Sequence, residues 1–131
     1  MNNRIALTTL IVHDYDETIA FYTQKLGFHL IEDVQIPKEH KRWVIISPNQ
    51  SKENGLVLGK AKNDLESKAV GNQTGGRVFL FLYTDDFWYD YNRFKENGVH
   101  FIRPPKKESY GTVAVFEDLY GNLWDLLEPK K

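Results

Sequence analysis

Four histidines are the first residues whose type suggests chemistry. His13 stands beside Asp14, His40 lies in Lys38-Glu39-His40-Lys41-Arg42, and His29 and His100 each follow a glycine by two residues. Metal coordination asks for donors that converge, at helical i,i+4 or alternate-strand spacing. No pair of these histidines has either. Asp125 is a carboxylate in the apolar run Trp124-Asp125-Leu126. It turns to solvent, bonds to nearby backbone or a tyrosine hydroxyl, or is held in a cavity. In a cavity, desolvation would raise its pKa toward general-base work, though no partner acid can be picked out. Trp43 follows Lys41-Arg42. Its ring either stacks a flat ligand while Arg42 pairs an anion, or packs in a core or interface. Arg103, Lys106, Lys107 and Tyr110 flank Pro104-Pro105, in a loop that closes over a cavity or stays solvated. Phe87-Trp88-Tyr89 carries more aromatic surface than one helix face needs, which suggests a subunit contact or a pocket lid. There is no Gly-rich phosphate loop, nucleophile elbow, paired-His helix or aromatic-basic nucleic-acid signature.

Such side chains need a scaffold, and the composition bounds it. The 131 residues fit one domain, or two small modules sharing a core. Hydrophobic and aromatic shares of 41% and 14% supply an interior. A net charge of −1 gives no electrostatic reason to expect nucleic acid or anionic lipid. With no cysteine, disulfides, thiolate metal sites and a Cys nucleophile are excluded, and the count suits the cytosol. The apolar run Ile5 to Val12 is too short to span a membrane. It lacks both a cationic lead-in and a small-residue cleavage site, so neither a signal peptide nor a membrane partner is expected. A cytoplasmic location is the expectation.

The elements come as a repeat. Val12-His13-Asp14 leads through Phe21-Tyr22 to Leu26-Gly27-Phe28-His29. Seventy-one residues later Tyr83-Thr84-Asp85 leads to Asn97-Gly98-Val99-His100. Each copy runs an apolar strand into an Asp, then a helix, then a Gly thirteen residues after that Asp. Two such half-domains are needed to enclose a core. Asp14 with Glu17 makes a capping pattern, and Gly27 and Gly98 supply the helix stops. In the first copy, strands are predicted over Ile5 to Val12, Phe28 to Val34, Trp43 to Ser47 and Leu56 to Lys60. In the second they span Arg77 to Thr84, Val99 to Arg103, Thr112 to Glu117 and Leu123 to Glu128, with Pro104-Pro105 as a break. Asp118-Leu119-Tyr120-Gly121-Asn122 turns the last hairpin. This gives module one about 4–60, a polar linker 61–76 and module two about 77–129. The equivalence of His29 and His100 follows from the repeat.

With these motifs in place, the chain resembles the vicinal oxygen chelate superfamily of glyoxalases, bleomycin-resistance proteins and extradiol dioxygenases. The resemblance rests on Val12-x-Asp14, Phe21-Tyr22-x-x-x-Leu26-Gly27-Phe28, Asp85 to Asn97-Gly98-Val99, and Phe116-x-Asp118-x-x-Gly121-Asn122-x-Trp124-x-Leu126. Together they cover nearly the whole length. It implies an α+β fold of two βαβββ modules, their mixed sheet curled round a central cavity, within a homodimer.

The family's enzymes hold a divalent ion with four His, Glu or Gln side chains, two per module. By the resemblance, these positions fall on Leu7, Leu58, Phe79 (or Val78 after one register slip) and Asp125. Three hydrocarbons and one carboxylate do not hold such an ion against water. No metal or other cofactor is therefore expected, and the binding branch is favoured over the enzymes. Alternation puts Leu7, Thr9 and Ile11 on one strand face, as it does Phe79, Phe81 and Tyr83, and Leu123, Asp125 and Leu127. The expected ligand-binding residues are Leu7, Thr9, Trp43, Leu58, Phe79, Phe81, Tyr110 and Asp125. They would line an apolar site for a small molecule, with drug sequestration the most concrete version. The alternative is a glyoxalase-like lyase or isomerase acting on a carbonyl substrate.

Overall fold

A computed structural model describes residues 2–131. Residues up to Val70 make one compact unit and those from Gly71 a second. In the first unit the strands are β1 (Leu7–Val12), β2 (His29–Ile36), β3 (Lys41–Ser47) and β4 (Gly55–Lys60). They form one sheet in the order β1-β4-β3-β2, with β1 parallel to β4. In the second unit they are β5 (Val78–Tyr83), β6 (Phe101–Glu108), β7 (Gly111–Glu117) and β8 (Leu123–Pro129). Their order, β5-β8-β7-β6 with β5 parallel to β8, is the same topology again. The fold is α+β, built from two similar modules. Among the described residues no helix is long and apolar enough to cross a membrane.

Each sheet carries its helix on one face. Helix α1 (Tyr15–Ala20) starts at Asp14, whose carboxylate accepts the Glu17 N–H at 2.8 Å. It continues as a π turn over Phe21–Lys25, and Gly27 ends it at a φ of 76°. Tyr22, Leu10, Val12, Val44 and Ile46 are fully buried on this side. Each contributes about 1.5–3 kcal/mol of hydrophobic burial. In the second unit, helix α3 (Phe87–Glu96) lies over an aromatic cluster. Phe94, Phe101 and Trp124 sit 5.4, 5.7 and 6.0 Å from Phe116, centroid to centroid.

The repeat is one residue out of step with its sequence reading. The side chain that caps α3 is Asp86, accepting the Tyr89 N–H at 3.2 Å, and not Asp85. From Asp86 to Gly98 is one residue shorter than from Asp14 to Gly27. The π turn in the first copy absorbs the difference, because a wider turn holds an extra residue without moving the helix ends. Spacing alone makes Asp85 look equivalent to Asp14.

Two further expectations are corrected. Pro104-Pro105 does not break the strand, since β6 runs from Phe101 to Glu108. Its pairing jumps from Arg103↔Val115 to Lys106↔Val113, so both prolines face Ala114 as a bulge. As β6 is the sheet edge, the missing N–H groups cost little. The polar stretch 61–76 contains helix α2 (Asp64–Ala69), capped by Asn63 on the Glu66 N–H at 2.8 Å. Its Leu65 is 80% exposed, so no buried stripe announces it.

The last hairpin is tied as its sequence suggests. Asp118 is buried and accepts the N–H groups of Tyr120 and Asn122, each at 2.9 Å, and the Asn122 side-chain amide at 2.8 Å. A buried carboxylate with three donors is a stable turn anchor.

Candidate functional site

The face of each sheet opposite its helix is the candidate surface, and strand register fixes what it presents. Residues paired across a sheet point to the same side. In the first unit Thr9 pairs with Val57, Val57 with Ile45, and Ile45 with Glu32. In the second unit Phe81 pairs with Asp125, Asp125 with Val115, and Val115 with Arg103. These are the same four strand positions in the two modules. The first row is mostly aliphatic and ends in a carboxylate. The second begins with an exposed aromatic ring and holds a carboxylate and a guanidinium.

In the first unit a groove of about 700 Å³ opens where β3 and β4 part, lined from this face by Thr9, Trp43 and Gly59 and from the helix side by Tyr15 and Arg42. The β3–β4 ladder has two registered pairs, Ile45↔Val57 and Ile46↔Leu56. Beyond them β3 stays paired with β2 through Trp43↔Val34 and Lys41↔Ile36. Likewise β4 stays paired with β1 through Gly59↔Ile11 and Lys60↔Val12. The segments that no longer pair with each other, Lys41 to Trp43 and Val57 to Lys60, line the groove together with Thr9 and Tyr15. A Cβ placed on Gly59 would meet only the Thr9 methyl, at 3.7 Å. The glycine therefore leaves floor space.

Trp43 is 39% exposed on this face. Its indole N–H donates to Glu32, and the Lys52 ammonium lies 2.5 Å from the same carboxylate. The hydrogen bond from Lys52 holds the Glu32 carboxyl below the ordinary carboxylate range, against a smaller opposing effect of desolvation. With its N–H engaged, Trp43 offers a ring face rather than a donor. The Arg42 guanidinium is engaged by carboxylates of the chain itself. It forks onto Asp33 at 3.1 and 2.6 Å, reaches Asp16 at 3.0 Å and lies 5.2 Å over the Tyr15 ring. The Asp33 hydrogen bonds hold it charged more firmly than an isolated arginine.

In the second unit Phe81 and Tyr83 are 61% and 66% exposed. Asp125 lies beside Phe81. Burial pushes its carboxyl above the ordinary range, and the Arg103 guanidinium pulls it partly back.

The residues expected at a site are thus partly brought together. Thr9, Trp43 and Leu58 line one groove. Leu58, however, pairs with the buried Leu10, so its side chain belongs to the helix side. Val57 holds the position equivalent to Asp125. Leu7 pairs with Gly55 at the opposite end of β1 and is outside the groove. Phe81 and Asp125 are neighbours, whereas Phe79 falls at a bulge between Val78↔Leu123 and Leu80↔Trp124. The bulge breaks the alternation, so Val78 shares the Phe81 face. Tyr110 is exposed in the two-residue turn between β6 and β7. Val57, Gly59, Lys60 and Lys62 were missed. Matching the buried Leu56 to the buried Trp124 would have found Val57.

Among the described residues no three His, Asp or Glu side chains come together. His100 binds Glu117 through Nδ1 at 2.6 Å, and His40 lies at the groove. The positions that the resemblance marks, Leu7, Leu58, Phe79 (or Val78) and Asp125, offer three hydrocarbons and one carboxylate, as does the set with Val57 and Val78 that the register puts on the open face, and neither donor set fits an octahedral divalent ion.

A profile of the glyoxalase/bleomycin resistance protein/dioxygenase superfamily matches residues 4–126. The chain belongs to that superfamily. It is 56% identical to an uncharacterized protein of Shewanella frigidimarina, over 98% of this chain and 95% of the relative. It is 27% identical to a lactoylglutathione lyase of Salmonella typhimurium, covering 97% and 93%. Among solved structures it is similar to TnmS3, an antibiotic binding protein from Streptomyces sp. CB03234. The TM-score is 0.80 at 29% identity, with 98% of each chain covered.

Proposed function

We propose that this superfamily member binds a small, flat, partly aromatic molecule reversibly and without a metal, in the manner of a drug-sequestering protein. The observation that carries the reading is the groove of about 700 Å³ beside Trp43. Its size suits a small-molecule site, and a tryptophan ring face with a glycine floor suits a planar one. The likeness to an antibiotic binding protein supports it. Thr9, Trp43 and Leu58 are the groove residues in this reading, and Phe81 and Asp125 offer a second aromatic and charged surface. Leu7, Phe79 and Tyr110 would join only at the periphery. We include a homodimer, because Phe81, Tyr83, Trp88 and Tyr89 are each more than half exposed and leave apolar surface to cover. A cytoplasmic location, with no nucleic-acid or membrane partner, completes the proposal.

Tryptophan-fluorescence titration with a panel of flat aromatic compounds tests it. At least one should bind saturably, and Trp43→Ala should weaken that binding about tenfold or more. Gly59→Leu should block it by filling the floor while leaving the fold intact. No binding across the panel, or binding indifferent to both variants, refutes the reading. Light scattering should give twice the chain mass, and a monomer at micromolar concentration would refute the dimer.

One observation favours a second reading, a lyase or isomerase working on a carbonyl substrate. Asp125 is a desolvated carboxylate on an open face, as a general base would be. The 27% identity to a lactoylglutathione lyase is in keeping with it. Proton exchange at the carbon next to a carbonyl, lost in Asp125→Asn, would establish it.

A further inference from the structure

The charges around the groove point to one sign of ligand. Of its lining residues Lys41, Arg42, Lys60 and Lys62 are cationic, and Glu39 and Glu66 are acidic. Lys41 holds Glu39 at 3.0 Å. Arg42 is committed to Asp33 and Asp16. Glu66 is turned to its own helix start, accepting the Lys62 backbone N–H at 3.2 Å and the Asn63 amide at 3.5 Å. Lys60 and Lys62 are left. Both side chains are exposed, and neither holds an ion pair among the described residues.

Lys60, on the Val12 side of β4, Lys62, just beyond the end of that strand, and an indole ring whose N–H is already taken therefore line the groove that opens where β3 and β4 part. We infer that the groove takes a planar aromatic anion, its ring stacked on Trp43 and its sulfonate, carboxylate or phosphate met by Lys60 and Lys62. This rests on the small-molecule reading above and deepens it by naming the ligand class. A neutral aromatic gains only the stack, and a cationic one is opposed by both lysines. Glu32 does not oppose the anion as a bare charge, because Lys52 lies against it. The discrimination acts through exposed charges, so it is modest and screened by salt.

Three probes of one shape test this: naphthalene-2-sulfonate, naphthalene-2-sulfonamide and 2-naphthylmethylammonium, titrated by tryptophan fluorescence at low salt and neutral pH. The sulfonate should bind about five- to tenfold tighter than the sulfonamide, with the ammonium weakest. In a Lys60→Ala/Lys62→Ala double variant, and in a Lys60→Gln/Lys62→Gln variant that keeps side-chain length, the advantage should fall below about twofold. The sulfonamide should bind as in the wild type. Raising ionic strength to about 1 M should remove the advantage in the same way. Equal binding of all three probes, weakened together by Trp43→Ala, would overturn the anion inference and leave the small-molecule reading standing. An advantage that survives both lysine variants would also overturn it. If none of the three probes binds, the groove reading and the inference fail together.

Discussion

The two sheets share a topology, yet their central ladders differ. In the second unit β7 and β8 pair without interruption over seven positions, from Gly111↔Pro129 to Glu117↔Leu123. In the first, the equivalent β3 and β4 pair at two positions and then each follows its outer neighbour. The groove lies where that pairing lapses. The open face of the second unit instead carries its chemistry as side chains, Phe81, Asp125 and Arg103. A repeated half-domain thus keeps its helix-side core twice over, while its two open faces are free to diverge. One spends backbone pairing on a groove, and the other keeps the ladder and varies the side chains.

If the helix sides are equivalent, each should be comparably intolerant of cavities. Phe116→Ala in the second unit should cost about 3–5 kcal/mol, and Ile46→Ala in the first about 2–5 kcal/mol, in urea unfolding. Both side chains are fully buried. A cost under about 1 kcal/mol at either position would break the equivalence.

The offset between the copies is sharpened by their caps. Asp14→Ala and Asp86→Ala should each cost about 1 kcal/mol, since each carboxylate accepts a first-turn N–H. Asp85→Ala should stay within about 0.5 kcal/mol, as it caps nothing. The reverse order for Asp85 and Asp86 would restore the simpler register.

The smallest effect concerns Asp125, which has Val57 as its counterpart. Its folded pKa lies above the unfolded value, so the native state binds the proton more readily. Unfolding free energy therefore falls as pH rises through the carboxylate range. Asp125→Asn should raise the melting temperature by a few degrees at most at neutral pH. The gain should fade as pH falls through the raised pKa, where the wild-type carboxyl is itself neutral. A lowered melting temperature at neutral pH would mean that the carboxylate stabilises its strand instead.

Local order was legible in the sequence wherever neighbours along the chain determine it. The Asp14 cap, the glycine stops at Gly27 and Gly98 and the Asp118 to Asn122 turn depend on backbone and side-chain atoms a few residues apart, and their spacing displays them. So does the repeat, because two copies of one hydrophobic pattern must fold alike. Pairing between distant strands decided the rest. Whether Leu58 or Val57 shares a face with Thr9 depends on the register of β1 against β4, and a shift of one residue reverses every side chain. The bulge at Phe79 and the continuation of β6 through Pro104-Pro105 depend on which strands are paired and which lie at an edge. Arg42 reads as an anion receptor until Asp33 and Asp16, distant in sequence, are folded against it. The groove itself comes from ladder bonds that β3 and β4 do not make, and no residue in either strand encodes that gap alone.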